Sequence, residues 1–183
     1  DNAIQHARIA RSQLFINDRI AFMTKLAKEI TAFIRKAEKK NLTPVVRLNG
    51  TSDILWETIP YGDHASIMEA FPNLQFYDYT KVYKRAIRQL PANYHLSLSY
   101  SQASQKYALA TQTITRQSDV NLVVVFRGSL PETFLGRRVV NGDESDLRFL
   151  DEKNVIVGLK AKGRAKKDTS GFVIDPHQFS EVA

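Results

Sequence analysis

Three side chains with functional groups common in catalysis lie in or just after short segments rich in β-branched and aromatic residues. They are the carboxylates of Asp53 and Asp78 and the imidazole of His95. Carboxylate and imidazole groups transfer protons and bind metal ions in many enzymes. Because ligands of parallel α/β sheets bind outside the carboxyl ends of the strands, we predict that these three residues share one cleft.

The densest acidic group of the sequence lies in residues 141–146, where Asp143, Glu144 and Asp146 occur close together. Three carboxylates at this spacing repel one another unless a cation or solvent separates them, and such oxygen ligands suit divalent metal ions. We therefore predict that Asp143 and Glu144 join the same cleft as catalytic or metal-binding residues. The alternative is that Arg148 or the basic end of the chain neutralises these acids.

Each residue of the first group also has a structural interpretation. Asp53 and Glu57 are spaced to share one face of a helix, but Ser52 or Asp53 is equally suited to cap such a helix. Asp78 is placed to accept a hydrogen bond from the backbone of a neighbouring strand. A lone histidine such as His95 is more often a hydrogen-bonded structural residue than a ligand or a base.

The strongest local cluster of basic residues lies at 160–167, in a chain whose formal net charge is +7. Lys160, Lys162 and Arg164 stand at alternate positions there, with two further lysines after them, and Lys81 directly follows the segment that contains Asp78. Such side chains bind phosphate groups, so we predict that these four residues hold an anion on a flexible loop. A lysine-rich loop that contacts only solvent is the alternative.

The spacing of the apolar residues predicts that helices and strands alternate along the chain. Residues 3–40 have the spacing of a helix pair, with Asn17 or Asp18 capping the second helix. The predicted strands are 43–50, 74–79, 94–99 and 121–126, with shorter ones at 138–140 and 155–159, and the predicted helices between them lie within 54–71, 83–90 and 102–113. This order predicts an α/β fold with a mostly parallel sheet and flanking helices, or alternatively a partial TIM-type barrel.

Length and composition fit one folded domain. The chain has 183 residues, of which 43% are hydrophobic, and we expect a single α/β domain over residues 1–175 and a tail over 176–183. The sequence starts without an initiator methionine, so we expect an upstream portion. No apolar run approaches the roughly 20 residues that cross a bilayer, and there is no cysteine for a disulfide, so we predict a cytoplasmic protein without a membrane partner.

Four segments carry a resemblance to a known family. They are VRLNGTSD at 46–53, FYDYTK at 76–81, NYHLSLS at 93–99 and VNGDESDLRF at 140–149. Together they resemble an uncharacterised family of phage and plasmid proteins, the gene-product-eighty-eight-like group, from the first helices to about Gly171. The resemblance implies a strand series similar to part of a radical-SAM-type barrel. It also implies a cysteine cluster upstream, so an iron–sulfur cluster is expected only where such a segment exists.

These observations lead to two functional hypotheses. The first is a protein of a mobile genetic element that acts on nucleic acid or on a phosphorylated, nucleotide-like ligand, with a divalent metal as candidate cofactor. The second is a binding module without turnover that uses the basic loop with Tyr77 and Tyr79 to bind nucleic acid or a host protein, and so inhibits a host system. The sequence contains no Walker motif, dinucleotide fingerprint, zinc-ligand spacing or nucleophile elbow, so it indicates no established enzyme class.

Overall fold

The computed structural model describes residues 2–179, and this part of the chain contains four α-helices and eight β-strands. The helices are α1 (Asn2–Asn17), α2 (Arg19–Glu38), α3 (Ile67–Ala70) and α4 (Gln105–Arg116). The strands are β1 (Val45–Val46), β2 (Gln75–Thr80), β3 (Tyr94–Ser99), β4 (Leu122–Phe126), β5 (Thr133–Phe134), β6 (Arg137–Asn141), β7 (Ile156–Lys160) and β8 (Val173–Ile174). Short 3-10 helices cover Trp56–Thr58, Tyr83–Ile87, Arg148–Leu150, Gly163–Lys167 and Pro176–Phe179.

The strands form one sheet in the order β1-β2-β3-β4-β7-β6-β5, and β8 pairs with β4 beside β3. The pairs β1–β2, β3–β4, β4–β7, β4–β8 and β6–β7 are parallel, whereas β5–β6 is an antiparallel hairpin. The prediction of an α/β fold with a mostly parallel sheet is therefore confirmed. The partial-barrel alternative is not confirmed, because these pairings form a path with two separate ends.

Most strands lie where the sequence pattern predicts them. β3 has the predicted bounds, and β4 and β7 each differ from theirs by one residue. The predicted strand 43–50 is shortened to β1. Its last part leaves the strand conformation, and Asn49 donates its backbone N–H to the carboxylate of Asp78 at 2.8 Å. The side chain of Asp78, a residue of β2, thus takes the place of a strand backbone as the hydrogen-bond partner of Asn49.

The helix pair at the start of the chain is confirmed, and Asp18 is its cap: its Oδ1 accepts a hydrogen bond from the backbone N–H of Ala21 at 2.9 Å. The other helices are shorter or shifted. α3 has only four residues, and α4 begins at Gln105 because Ser104 caps it. The helix predicted over 83–90 is a 3-10 turn, after which Arg88 has an extended backbone.

The first of two compact units contains α1, α2, α3 and β1. It comprises residues up to Leu48, Ile54–Phe76 and Pro91–Asn93. Phe15, Phe22 and Trp56 form an aromatic cluster in this unit, with ring centroids 5.1–6.1 Å apart. None of the described helices, in this unit or the other, is long and apolar enough to cross a membrane.

The second unit contains most of the sheet. It comprises Asn49–Asp53, Tyr77–Leu90 and the chain from Tyr94 on. One face of its sheet carries a core that packs against α4 and includes Leu98, Leu122, Val124, Phe126 and Ile156. The opposite face carries a smaller cluster of Val123, Val155 and Val157. The single domain over 1–175 stays a prediction; the predicted tail begins with a 3-10 helix, and its residues 180–183 lie outside the described part.

Candidate anion-binding site

Asp53 lies beside the carboxyl end of β2 and pairs with a buried arginine. Its Oδ1 is 2.8 Å from Nη1 of Arg85, whose side chain is fully buried, and it accepts a hydrogen bond from the Thr80 hydroxyl at 2.7 Å. Its Oδ2 accepts a hydrogen bond from the backbone N–H of Lys81 at 2.7 Å. The predicted helix cap is wrong here, because no helix begins at Asp53 and the segment before Trp56 is not helical.

Asp78 belongs to the same network. Its buried carboxylate accepts hydrogen bonds from the backbone N–H of Asn49 at 2.8 Å and from the Tyr94 hydroxyl at 2.9 Å. The Tyr94 hydroxyl also accepts a hydrogen bond from Nη2 of Arg85 at 3.0 Å. Burial, and secondarily the negative charge of Asp78, raise the pKa of Tyr94 well above its usual value, so Tyr94 remains a hydrogen-bond donor. The two predicted carboxylates are therefore brought together.

His95 is not part of this network. It is the second residue of β3, so it lies about 13 Å before the carboxyl end of the strand, at about 3.3 Å per residue. Its ring Nε2 lies 3.3 Å from the hydroxyl of Ser97, on the face of the strand opposite to Tyr94. Burial, and secondarily the positive charge of Arg148, lower the pKa of His95. The neutral ring is therefore the stable form.

Asp143 contacts basic residues rather than the other acids of the predicted cleft. Its carboxylate accepts hydrogen bonds from the Lys162 ammonium at 2.7 Å and from the backbone N–H of Lys160 at 2.9 Å. The hydrogen bond from Lys162, and then that from Lys160, hold the pKa of Asp143 below its usual value. This side chain links the acidic loop, residues 141–146, to the chain after β7.

Arg148 organises the rest of the acidic loop. Its side chain is buried, and Nη2 donates to the carbonyl oxygens of Gly142 and Ser145. The carboxylate of Glu144 accepts a hydrogen bond from Asn141 at 3.0 Å instead of pointing to another acid. Of the neutralisation expected as the alternative, the pairing of Asp143 with Lys162 is present, whereas Arg148 binds carbonyl oxygens of the loop.

The described residues contain no group of three or more His, Asp or Glu side chains placed to hold a metal ion together. The chain also has no cysteine, so it cannot supply a thiolate to an iron–sulfur cluster. The four residues predicted to share one cleft, Asp53, Asp78, His95 and Asp143, belong instead to three separate sets of contacts. Only Asp53 and Asp78 belong to the same set.

The predicted anion-binding residues lie at the carboxyl edge of the second unit's sheet. Lys160 ends β7, and Lys81 directly follows β2. Residues 160–172, the basic loop, contain five basic residues and one acid. Nζ of Lys81 lies 4.7 Å from the ring centre of Phe172, so Lys81 contacts the last residue of the basic loop.

The basic loop is anchored to the strand ends by its backbone. Arg127, the residue after β4, donates from its two terminal nitrogens to the carbonyl oxygens of Lys166 and Asp168. The Asp168 carboxylate accepts hydrogen bonds from the backbone N–H of Val173 at 3.0 Å and from Ser170 at 2.8 Å. These contacts join the loop, which the sequence predicts to be flexible, to the end of β4 and the start of β8.

Gly171 allows the loop to approach the end of β3. Its φ is +89°, and a Cβ atom at this position would lie 2.9 Å from the backbone nitrogen of Ala103. Its carbonyl oxygen accepts a hydrogen bond from the backbone N–H of Gln102 at 2.7 Å. A residue with a side chain would be strained here both by its backbone angle and by this contact.

The 3-10 helix of the anchored loop carries three exposed cations. Arg164, Lys166 and Lys167 lie on the 3-10 helix, and no acidic side chain within residues 2–179 forms an ion pair with any of them. Lys162 differs, since it pairs with Asp143. The anchoring residue Arg127 was not predicted, although its place directly after β4 fits the same rule of strand ends.

Comparison with known proteins gives a family but no activity. No curated protein and no solved structure matches the chain. The suggested similarity to a radical-SAM-type barrel therefore has no support. A family model described as Gene product 88 matches residues 1–176, which include all four segments that carry the resemblance. The chain belongs to the Gene product 88 family.

Proposed function

We propose that this protein binds the phosphate groups of nucleic acid through the basic loop. The observation that carries the proposal is the set of exposed cations at Arg164, Lys166 and Lys167, which lack an acidic partner among the described residues. Cations of this kind neutralise phosphates and release the counterions condensed on a nucleic acid, which supplies most of the affinity in sequence-independent binding.

The anchoring of the loop supports this assignment. Arg127, Asp143 and Asp168 bind backbone or side-chain groups of the loop, so its backbone is held by contacts that need no ligand. A preorganised loop loses less conformational entropy on binding than a flexible one. The acids near the loop therefore act in binding, by fixing the positions of the cations.

Base stacking has less support than phosphate contact. Tyr77 is 8% exposed and packs against Phe149, with ring centroids 5.8 Å apart. Tyr79 packs against the valine cluster on its face of the sheet. Because Tyr77 is buried and Tyr79 is partly covered, the proposed interaction reads the phosphate backbone rather than the sequence of bases.

A role in turnover remains a hypothesis from the sequence. The carboxylates of Asp53 and Asp78 bind Arg85 and Tyr94, which favours a part in positioning the strand ends over proton transfer. The origin of the protein in a mobile genetic element and an effect on a host system also remain proposals. The numbered gene-product description of the family supports the first of these proposals.

The proposal is tested by replacing two of the exposed cations. The double variant Lys166→Ala/Lys167→Ala should bind a labelled 30-nucleotide DNA more weakly than the unchanged protein. The matched control is Lys39→Ala/Lys40→Ala, which removes two adjacent exposed lysines at the end of α2. Equal losses in the two variants would contradict the proposal.

A competition experiment distinguishes binding of nucleic acid from binding of a phosphorylated nucleotide. Unlabelled DNA should displace the labelled DNA at a far lower phosphate concentration than ATP, since a strand contacts several cations at once and a nucleotide does not. Displacement by ATP at an equal phosphate concentration would instead assign the site to a phosphorylated nucleotide and overturn the nucleic-acid proposal.

A further inference from the structure

The first unit contains a cavity remote in sequence from the basic loop. It has a volume of about 620 Å³ and lies between α2 and residues 58–64. Met23 and Ile59, which are 2% and 8% exposed, provide an apolar wall, while Ile20 at its margin is 82% exposed. Cavities of about 300–1,000 Å³ with mostly apolar walls are typical of small-molecule sites.

One guanidinium group lines this cavity and is held in a fixed position. Nε of Arg19 donates to the carbonyl oxygen of Phe15 at 2.9 Å, and its guanidinium carbon lies 3.9 Å from the centre of the Phe15 ring. Asp63 also lines the cavity, but in the described part of the chain neither it nor another acid forms an ion pair with Arg19. The two terminal nitrogens are therefore available to an anion.

A second cavity lies further along α2. This cavity of about 370 Å³ shares Tyr61 with the first, and Lys28 and Arg35 are among its lining residues. From Arg19 to Arg35 the helix extends for about 24 Å at a rise of about 1.5 Å per residue. The two cavities thus lie beside the same helix, and each has at least one cation among its lining residues.

From this arrangement we propose that the first unit binds an amphipathic carboxylate, with an acyl or aromatic body against Met23 and Ile59 and its carboxylate on Arg19. A guanidinium binds a carboxylate through two parallel hydrogen bonds, which suits a fixed arginine at the margin of an apolar cavity. The exposed side chain of Ile20 would lose its contact with water when the ligand binds.

The first test fills the cavity. Binding of decanoate, measured by displacement of the fluorescent anion anilinonaphthalene sulfonate, should be at least about tenfold weaker in Thr24→Trp. Thr113→Trp in α4 is the matched control. Both threonines are exposed helix residues whose hydroxyls donate to the carbonyl oxygen four residues earlier, at 2.9 Å. Equal binding by the two variants would overturn the proposal.

The second test distinguishes the contribution of the ligand's carboxylate to binding from that of its apolar body. Arg19→Gln should weaken decanoate about tenfold, as expected for the loss of a charge-assisted hydrogen bond, and leave the binding of decanol unchanged. Arg8→Gln on the exposed helix α1 is the control and should affect neither ligand. If Arg19→Gln weakens the acid and the alcohol equally, Arg19 only shapes the cavity and the proposed carboxylate site is wrong.

Discussion

The carboxylate of Asp143 accepts a hydrogen bond from the ammonium group of Lys162 at 2.7 Å. The same carboxylate accepts the backbone N–H of Lys160 at 2.9 Å, so one acid fixes both the start and a side chain of the basic loop. A residue that the sequence suggests for catalysis therefore positions residues that it suggests for anion binding. The order of the loop consequently depends on the ionisation of Asp143.

We predict that Asp143 titrates below its usual range. Its pKa is lowered in the folded protein, so the stabilisation that it gives is complete above the pKa of the unfolded chain. This stabilisation is lost as the pH falls through the lower, folded value. The amide signal of Lys160 in NMR spectra should stay constant down to about pH 4 and shift only below it. A shift centred at or above the ordinary aspartate pKa would contradict this account.

The ion pair between Asp53 and Arg85 should matter far more for stability than a surface pair. Asp53→Ala removes the carboxylate bound to a fully buried guanidinium, so we expect the free energy of unfolding to fall by about 2–4 kcal/mol, a range reduced because the Asp53 side chain is 30% exposed. Asp119→Ala breaks an exposed pair with Lys153 and should cost less than about 0.5 kcal/mol. Urea unfolding of both variants measures the difference, and similar losses would count against a structural role for Asp53.

Gly171→Ala should disturb the basic loop. The substitution places a Cβ 2.9 Å from the backbone of Ala103 at a φ of +89°, and should cost about 1–3 kcal/mol. Gly50→Ala is the control, because a Cβ there meets no atom within 4 Å. The first variant should also bind DNA more weakly than the second. Unchanged unfolding and DNA binding in Gly171→Ala would show that the close approach to β3 does not set the loop conformation.

His95 should make the protein less stable in mild acid. Its pKa is lowered on folding by burial and by Arg148, so the unfolded chain takes up a proton first as the pH falls below about 6.5. The free energy of unfolding should therefore decrease between pH 7.5 and 5.5, and His95→Gln should reduce that decrease. Urea midpoints across this range provide the measurement. An equal pH dependence in the variant would exclude His95 as its source.

The sequence predicts the strands well where local pattern decides them. The alternation of His95 and Ser97 with Leu96 and Leu98 defines β3, because successive side chains face opposite sides of a sheet. β1 is shorter than predicted because Asn49 binds Asp78, and a hydrogen bond between residues 29 positions apart leaves no local signal. Such contacts are fixed by the tertiary fold alone.

In the predicted site, too, some features follow from the local sequence and others depend on tertiary contacts. Lys81 lies at the carboxyl edge because it directly follows β2, as the rule for parallel strands predicts. Its contact with Phe172 does not follow from that rule, because Phe172 precedes β8. His95 fails as a partner of Asp53 because its side chain lies on the face of β3 opposite to Tyr94, the residue that does join the network. The buried Arg85 that holds Asp53 could not be predicted, since an arginine in a polar segment is ordinarily exposed.

The dependence of DNA affinity on salt concentration is the most direct measure of phosphate binding by the basic loop. The logarithm of the affinity should fall linearly with the logarithm of the salt concentration, with a slope of about −0.9 for each phosphate neutralised on a duplex. Replacing Lys166 and Lys167 by alanine should make that slope shallower by up to about 1.8. An affinity of the unchanged protein that does not vary with salt, or a slope that the double variant leaves unaltered, would contradict phosphate binding by the basic loop.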